Sequence, residues 1–191
     1  MNTSTIKNTA LSALLLLANP TAHADDWTGN VSGYLGQKSL DDKGWGKQDQ
    51  HSSLGVLFDF KQQSWPLSIA ADIIVSADVD EIGSQKDVAG AIETHLGVRK
   101  IFELSNSKIS PYLDGGLAII GVGLENTSAG VTTTQDDTGT GTWIGTGMYI
   151  AMTPHFNLGV DVRYSEAEVS FSGVDREAGG IHAGFTAGYH W

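Results

Sequence analysis

The chain has 191 residues with 24 glycines, no cysteine and a formal net charge of -11 at pH 7. A chain of this length fits one domain, the lack of cysteine excludes disulfides and thiolate metal sites, and the acidic balance argues against a nucleic-acid partner. No run of about 18 apolar residues is present, which excludes a helical membrane span, but a membrane-spanning strand needs only about ten residues with every second one apolar.

The first 24 residues predict an export signal. Lys7 supplies a positive start, residues 9–18 form a short apolar stretch, and Ala22-His23-Ala24 matches the small-x-small pattern of a signal-peptidase site. We therefore expect residues 1–24 to be a cleaved signal peptide. Residues 25–191 would then form a single exported domain.

From Trp27 onward, apolar and polar residues alternate in eight segments separated by turn-forming residues. Successive side chains of a strand point to opposite faces, so each segment predicts a strand with one apolar face. The predicted strands lie near residues 27–37, 53–61, 67–79, 91–102, 110–124, 142–152, 157–169 and 178–191. An even number of such strands predicts an all-β fold, an eight-stranded antiparallel up-and-down barrel, because closure leaves no strand edge unpaired.

The fifth predicted strand is apolar on both faces, so its register has to be chosen. We place Leu113, Leu117 and Ile119 on the apolar face of the sheet, because Asp114 then joins the polar face.

The connections between the predicted strands alternate in length. Short connections are predicted at residues 62–66, 103–108 and 153–156, and long ones at 38–50, 80–90, 125–141 and 170–177. This asymmetry is typical of transmembrane barrels, which have short periplasmic turns and long extracellular loops. We therefore expect the barrel to span a membrane and to carry four surface loops.

Aromatic residues gather at the short-turn end of the predicted strands, where Trp and Tyr favour the level of the lipid headgroups. The predicted interface aromatics are Trp27, Trp65, Phe102, Tyr112, Phe156, Tyr189 and Trp191. A looser set at the opposite rim comprises Tyr34, Trp143, Tyr164 and Phe171.

The polar faces of the strands carry charges of both signs, whereas the apolar faces carry almost none. The predicted lumen residues are Asp59, Asp72, Glu93, Arg99, Asp114, Asp161 and Arg163, with Lys61 on the same face. An eight-stranded barrel is only wide enough for its own side chains, so we expect these charges to pair and plug the lumen. The alternative is that they form an ion pathway or a gate.

Two segments resemble a known family. Residues 110–117 (SPYLDGGL) are similar to the Pro-Tyr-x-x-x-Gly opening of the fifth strand in the small eight-stranded outer-membrane barrels of the OmpA-type and opacity-type group, and residues 187–191 (AGYHW) are similar to their closing strand. The resemblance covers residues 27–191 and implies an integral protein of the bacterial outer membrane. It also implies recognition of the C-terminal strand, with Tyr189 and Trp191, by the barrel-assembly machinery. Asp114 departs from the family pattern and leaves the subfamily open.

Other candidate sites are weaker. His51 with Ser52 and Ser53, near Asp49, has the residue types of a base and a nucleophile, but neighbouring strand residues point to opposite faces, so we expect no catalytic site. Trp45 is the first candidate anchor for an extracellular partner. Acidic residues of the predicted loops are candidates for binding cations or a partner, or serve solubility: Asp41, Asp42, Asp49, Asp80, Glu81, Asp87, Asp136, Asp137, Asp175 and Glu177.

Three functions are therefore open. The leading hypothesis is a structural or surface-interaction protein with a plugged lumen, in contact with outer-membrane lipid and lipopolysaccharide. The second is a small pore or transporter for small or hydrophobic solutes, and the third is a lipid-modifying enzyme. We expect no enzymatic activity, no cofactor, no metal and no nucleic-acid partner.

Overall fold

The computed structural model describes residues 26–40, 49–82, 85–105, 107–128, 131–171 and 173–191. The predicted signal peptide, Asp41, Asp42 and Trp45 lie outside the described residues.

The described residues are almost entirely β-strands, which pair antiparallel throughout. The strands are β1 Trp27–Leu40, β2 Gln50–Gln62, β3 Ser68–Ile82, β4 Gln85–Ile101, β5 Ile109–Ser128, β6 Val131–Ala151, β7 Phe156–Phe171, β8 Val174–Glu177 and β9 Gly180–His190. No helix in the described part of the chain is long and apolar enough to cross a membrane.

The sheet closes on itself. Consecutive long strands pair from β1 to β7, and β9 pairs with both β7 and β1, which gives a closed ring of eight strands. The ninth strand, β8, is a short addition that pairs only with the end of β7. The predicted all-β, eight-stranded, antiparallel up-and-down arrangement is confirmed.

The apolar side chains point out of the ring and the charged side chains point into it. Phe185 is 73% exposed and Val162 46%, whereas Arg163 is only 1% exposed. A water-soluble protein rarely exposes such a continuous apolar surface, which marks a contact with lipid or another apolar surface. In β5, Leu113, Leu117 and Ile119 are exposed and Asp114 is buried, which is the register chosen from the sequence.

Three of the four predicted long loops are largely strand. β3 and β4 extend to Ile82 and from Gln85, β5 and β6 extend to Ser128 and from Val131, and β7 pairs with β8. In the remaining predicted loop, residues 38–50, β1 continues to Leu40. The prediction was wrong because Thr, Gly and Asp were taken as turn formers. Threonine is β-branched and favours strands.

An apolar cluster lies in the interior of the ring, with most of its members toward the end opposite the short turns. Its members are Leu40, Ala70, Ala91, Ala118, Ile120, Val122, Trp143, Ala167, Val169, Phe171 and Ala178. This cluster explains why β5 is apolar on both faces: its inward side chains pack here, whereas its outward ones face away from the ring.

A break at residues 178–179 separates β8, which lies in the last predicted loop, from β9, the last predicted strand. The Glu177 carboxylate accepts hydrogen bonds from the backbone N–H of Ala167 at 2.6 Å and of Gly179 at 3.0 Å. Gly180 follows with a φ of 148°, a conformation that side chains other than glycine rarely adopt. The carboxylate therefore satisfies backbone donors that the ladder leaves unpaired.

Candidate functional site

All seven predicted lumen residues are buried inside the ring. Both arginines lie on one rung of the sheet, that is, one row of residues paired across neighbouring strands. Arg99 is opposite Asp114, Asp114 is opposite Gly145, and Gly145 is opposite Arg163. Gly145 carries no side chain at this rung, where the Asp114 carboxylate occupies the space that a Cβ would take. The register of the sheet therefore brings the two largest cations of the interior together.

Arg99 is surrounded by carboxylates. Its guanidinium nitrogens lie 2.6 Å from Asp114 Oδ2, 3.0 Å from Asp59 Oδ2 and 3.4 Å from Asp72 Oδ2. The Tyr149 hydroxyl lies 2.7 Å from Arg99 Nη1 and donates a hydrogen bond of 2.8 Å to Asp59. Charge-assisted hydrogen bonds of this kind offset the cost of burying the ions only when nearly every donor is used.

Arg163 has a matching shell. It contacts both oxygens of Asp161, at 2.8 and 2.9 Å, and Asp72 Oδ2 at 2.8 Å. The Tyr112 hydroxyl donates a 2.6 Å hydrogen bond to Asp161. Asp72 thus bridges the two arginines, and the two shells form one network.

A second group, the Glu93 cluster, consists of Glu93, Lys38, His95, His182 and Ser165. Glu93 Oε1 lies 2.7 Å from Lys38 Nζ and 2.7 Å from His182 Nε2, while Oε2 lies 3.2 Å from His95 Nε2 and 3.0 Å from Ser165 Oγ. One carboxylate therefore has four buried polar neighbours.

The Glu93 cluster is joined to the arginine network. Arg163 Nη1 lies 3.1 Å from His95 Nδ1. Three cations, Arg99, Arg163 and Lys38, face five carboxylates across the connected interior. Within the described residues, no group of three or more potential ligands is arranged to hold a metal ion.

The prediction for Tyr112 was wrong. It was expected at the membrane interface, but it is 1% exposed and its ring stacks under Arg99, whose guanidinium carbon lies 4.6 Å from the ring centre. Tyr112 is two residues from Asp114, so in an extended strand its side chain points to the same face as Asp114, which is the interior. For the same reason Tyr34, Trp143 and Phe171 of the looser rim set are buried inside the ring.

The other six predicted interface aromatics are exposed at the short-turn end. They are Trp27, Trp65, Phe102, Phe156, Tyr189 and Trp191. Several of these rings contact other aromatic rings: Trp27 packs on Trp65 with ring centres 5.5 Å apart, and Trp191 stacks on Phe58 of β2 with ring centres 5.8 Å apart.

Sequence reasoning missed Lys38, His95 and Tyr149 as partners of the lumen charges. Lys38 was assigned to a loop, yet it has the inward parity of Asn30 and Tyr34 in the same strand. Continuing the alternation of inward and outward side chains beyond the predicted strand end would have placed Lys38 in the interior.

His51, Ser52 and Ser53 do not converge. His51 and Ser53 are buried in the interior, whereas Ser52 is exposed on the opposite face. His51 Nδ1 lies 3.4 Å from Ser76 Oγ, and Asp49 is exposed.

Several acidic residues of the predicted loops have structural partners in the hairpins. Asp87 accepts a hydrogen bond from Asn126 Nδ2, and Glu177 binds the backbone at the β8–β9 break. Hydrogen bonds from the backbone N–H of Ser170 and of Thr138 lower the pKa of Asp137, which lies in the polar segment 132–140 of β6, outside the apolar band. These contacts favour a role in shaping the hairpins.

A cavity of about 190 Å³ enters the interior from the short-turn end. Asn30, Asp59, Tyr149, Asn157 and His190 are among its walls, and Asn30 Nδ2 donates to Asp59 at 3.1 Å. Lys61 lies on the same wall, 3.7 Å from Glu103. Asp59 and Tyr149 belong to the Arg99 shell, so the cavity ends where the ion network begins.

Interior glycines make room for the buried rings, and Gly147 provides a test. A Cβ at Gly147 would overlap the Tyr112 hydroxyl and the carbonyl oxygen of Val160. We expect Gly147→Ala to lower the free energy of unfolding by about 1–3 kcal/mol, because overpacking forces side chains and backbone to shift. Urea unfolding in lipid vesicles measures the change.

Gly123→Ala is the matched control, because a Cβ at Gly123 meets no atom within 4 Å. We expect this variant to be as stable as the wild type or slightly more stable. Equal effects of the two substitutions would contradict the packing of Tyr112 described above.

A family model for the outer membrane protein beta-barrel domain matches residues 9–191. Three solved structures are similar to most of this chain. OprG from Pseudomonas aeruginosa is 14% identical with a TM-score of 0.60, over 87% of this chain and 96% of that one. Ail, the attachment invasion locus protein of Yersinia pestis in complex with the heparin analogue sucrose octasulfate, is 14% identical with a TM-score of 0.59, over 87% and 99%.

A major outer membrane protein from Thermus thermophilus is 13% identical with a TM-score of 0.57, over 88% of this chain and 100% of that one. No curated protein sequence matches the chain. Identities this low show a common fold alone.

Proposed function

Because the chain belongs to the outer membrane protein beta-barrel domain family, we propose that it is a structural protein of the bacterial outer membrane whose lumen is closed by its own side chains. Membership of the family means that the exposed apolar band faces lipid. The proposal concerns what the interior does.

The observation that carries the proposal is the filling of the interior. Arg99, Arg163 and their carboxylates occupy the middle of the ring, the Glu93 cluster joins them, and most of the apolar cluster lies toward the end opposite the short turns. An ion crossing this barrel would have to break buried ion pairs and then pass the apolar cluster, whose side chains cannot replace its hydration shell. Both steps cost several kcal/mol.

Planar-bilayer recording tests the sealed lumen. We expect purified, folded protein to give no steady single-channel openings, because the buried ion pairs of the two arginines occupy the middle of the ring. The same preparation after heat denaturation controls for leaks caused by detergent. Steady openings of uniform conductance from the folded protein would contradict the proposal and favour the small pore.

We further propose how the protein is exported, assembled and surrounded in the membrane. Residues 1–24 would be removed on export, and the C-terminal strand with Tyr189 and Trp191 would be recognised by the barrel-assembly machinery. Outer-membrane lipid and lipopolysaccharide would surround the barrel, and the ends of the long hairpins would offer the surface for an extracellular partner.

The proposal assigns no enzymatic role to the chain. A lipid-modifying enzyme needs its base and nucleophile at the lipid-facing surface. His51 and Ser53 are buried in the interior, and Ser52 points away from them, which favours the structural role.

A further inference from the structure

An apolar groove of about 310 Å³ lies on the outer surface of the barrel, over β5, β6, β7 and β9. Sites that hold small molecules begin at roughly 300 Å³ and are mostly apolar. The outward side chains along the groove are Leu113, Ile144, Thr146, Val162, Tyr164 and Ile181.

The register of the sheet explains the groove. On one rung Leu113, Thr146 and Val162 are neighbours, and on the next Gly115, Ile144 and Tyr164. Gly115 carries no side chain on this face, and Thr146 is short. The surface is therefore depressed between larger apolar side chains.

The groove lies at the border of the apolar band. The next rung beyond it, away from the short turns, is polar on β6 and β7, where Thr142 Oγ1 donates a 3.0 Å hydrogen bond to Glu166 Oε1, and apolar only on β5, at Leu117. Ile181 has Ser39 of β1 as its neighbour on the same rung. Tyr164, half-exposed at this border, presents a ring of the kind favoured where lipid tails meet headgroups.

We propose that this groove binds one acyl chain of the lipid A of an outer-leaflet lipopolysaccharide, with the lipid headgroup at the level of Thr142, Tyr164 and Glu166. The groove is continuous with the lipid-facing band, so a lipid is already its neighbour, and its walls offer an acyl chain more contact than a flat surface would. The choice of the outer leaflet rests on the proposed function, in which the short turns are periplasmic.

The test compares two substitutions at equally exposed lipid-facing valines. Val162 lines the groove and is 46% exposed, whereas Val75 of β3 is outside it and is 49% exposed. Wild type, Val162→Phe and Val75→Phe are reconstituted into phosphatidylethanolamine vesicles containing lipid A, extracted into detergent, and weighed by native mass spectrometry.

We expect wild type and Val75→Phe to retain one lipid A per barrel, and Val162→Phe to retain at least tenfold less, because the larger ring fills the groove. Ile181→Trp is the second groove variant if Val162→Phe does not fold, which heat-dependent gel mobility reveals. Equal lipid A retention in all variants, retention of phosphatidylethanolamine alone, or no retained lipid in wild type would each overturn the proposal.

The same preparations are recorded in planar bilayers. Selective lipid A retention together with steady channels would overturn the sealed lumen and uphold the groove. Absence of both would overturn the groove and uphold the sealed lumen.

Discussion

Arg99→Ala and Arg163→Ala are each expected to lower the free energy of unfolding by about 3–5 kcal/mol, because each leaves buried carboxylates without their cation. Without Arg99, Asp59 and Asp114 lose their cationic partner. Without Arg163, Asp161 keeps only the Tyr112 hydroxyl among its side-chain partners described above. Asp72 contacts both arginines and would be affected by either change.

The measurement is the urea dependence of folding in lipid vesicles, followed by tryptophan fluorescence and by heat-dependent mobility on gels. Lys100→Ala is the control, because Lys100 is exposed and donates only to the Pro66 carbonyl oxygen among the contacts seen here. Exposed substitutions of this kind change stability by about 0.5 kcal/mol or less. If both arginine variants unfold at the wild-type urea concentration, the ion network does not hold the barrel together.

Glu93→Gln is expected to cost on the order of 3–5 kcal/mol, because Lys38 then remains as a buried cation whose counter-ion is gone. Lys38 Nζ lies 2.7 Å from Glu93 Oε1 and 2.6 Å from the carbonyl oxygen of Ala178, and its side chain is fully buried. The amide of glutamine keeps the size of the side chain but not its charge. The loss would therefore come from electrostatics more than from packing.

The double variant Glu93→Gln, Lys38→Met separates the loss of the ion pair from the loss of packing as causes of the lower stability. Methionine restores an apolar side chain of similar length, so we expect the double variant to recover most of the stability lost in Glu93→Gln. The four proteins of the cycle are unfolded in urea under one set of lipid conditions. If the loss of unfolding free energy in the double variant equals the sum of the losses in the two single variants, Glu93 and Lys38 have no coupling energy.

The sequence was sufficient for the two faces of each strand. Arg99, Arg163 and their carboxylates were placed inside from strand alternation together with the near absence of charge on the apolar faces, the aromatic girdle and the connection lengths, and Leu113, Leu117 and Ile119 were placed outside. The error at Tyr112 came from weighing its position near a strand end above its parity. The errors in the loops came from reading threonine and glycine as turn formers where paired strands continue.

The partners of each charge could not be read from the sequence. Lys38 and Glu93 are 55 positions apart along the chain, and nothing local to either indicates their contact. The same is true of the apolar cluster, whose members come from strands at both ends of the chain. These contacts follow from how far each strand is displaced along its neighbours, and that displacement accumulates around the ring.

The sequence by itself determined an eight-stranded antiparallel barrel with oily side chains outside and ionised ones inside, because side-chain direction alternates with a period of two residues in any strand. Only the tertiary structure decided that two arginines share one rung, that an apolar cluster gathers toward one end and that a groove marks the lipid-facing wall. Those features depend on the register across strand pairs and on ring closure, which bring together residues that no local pattern connects.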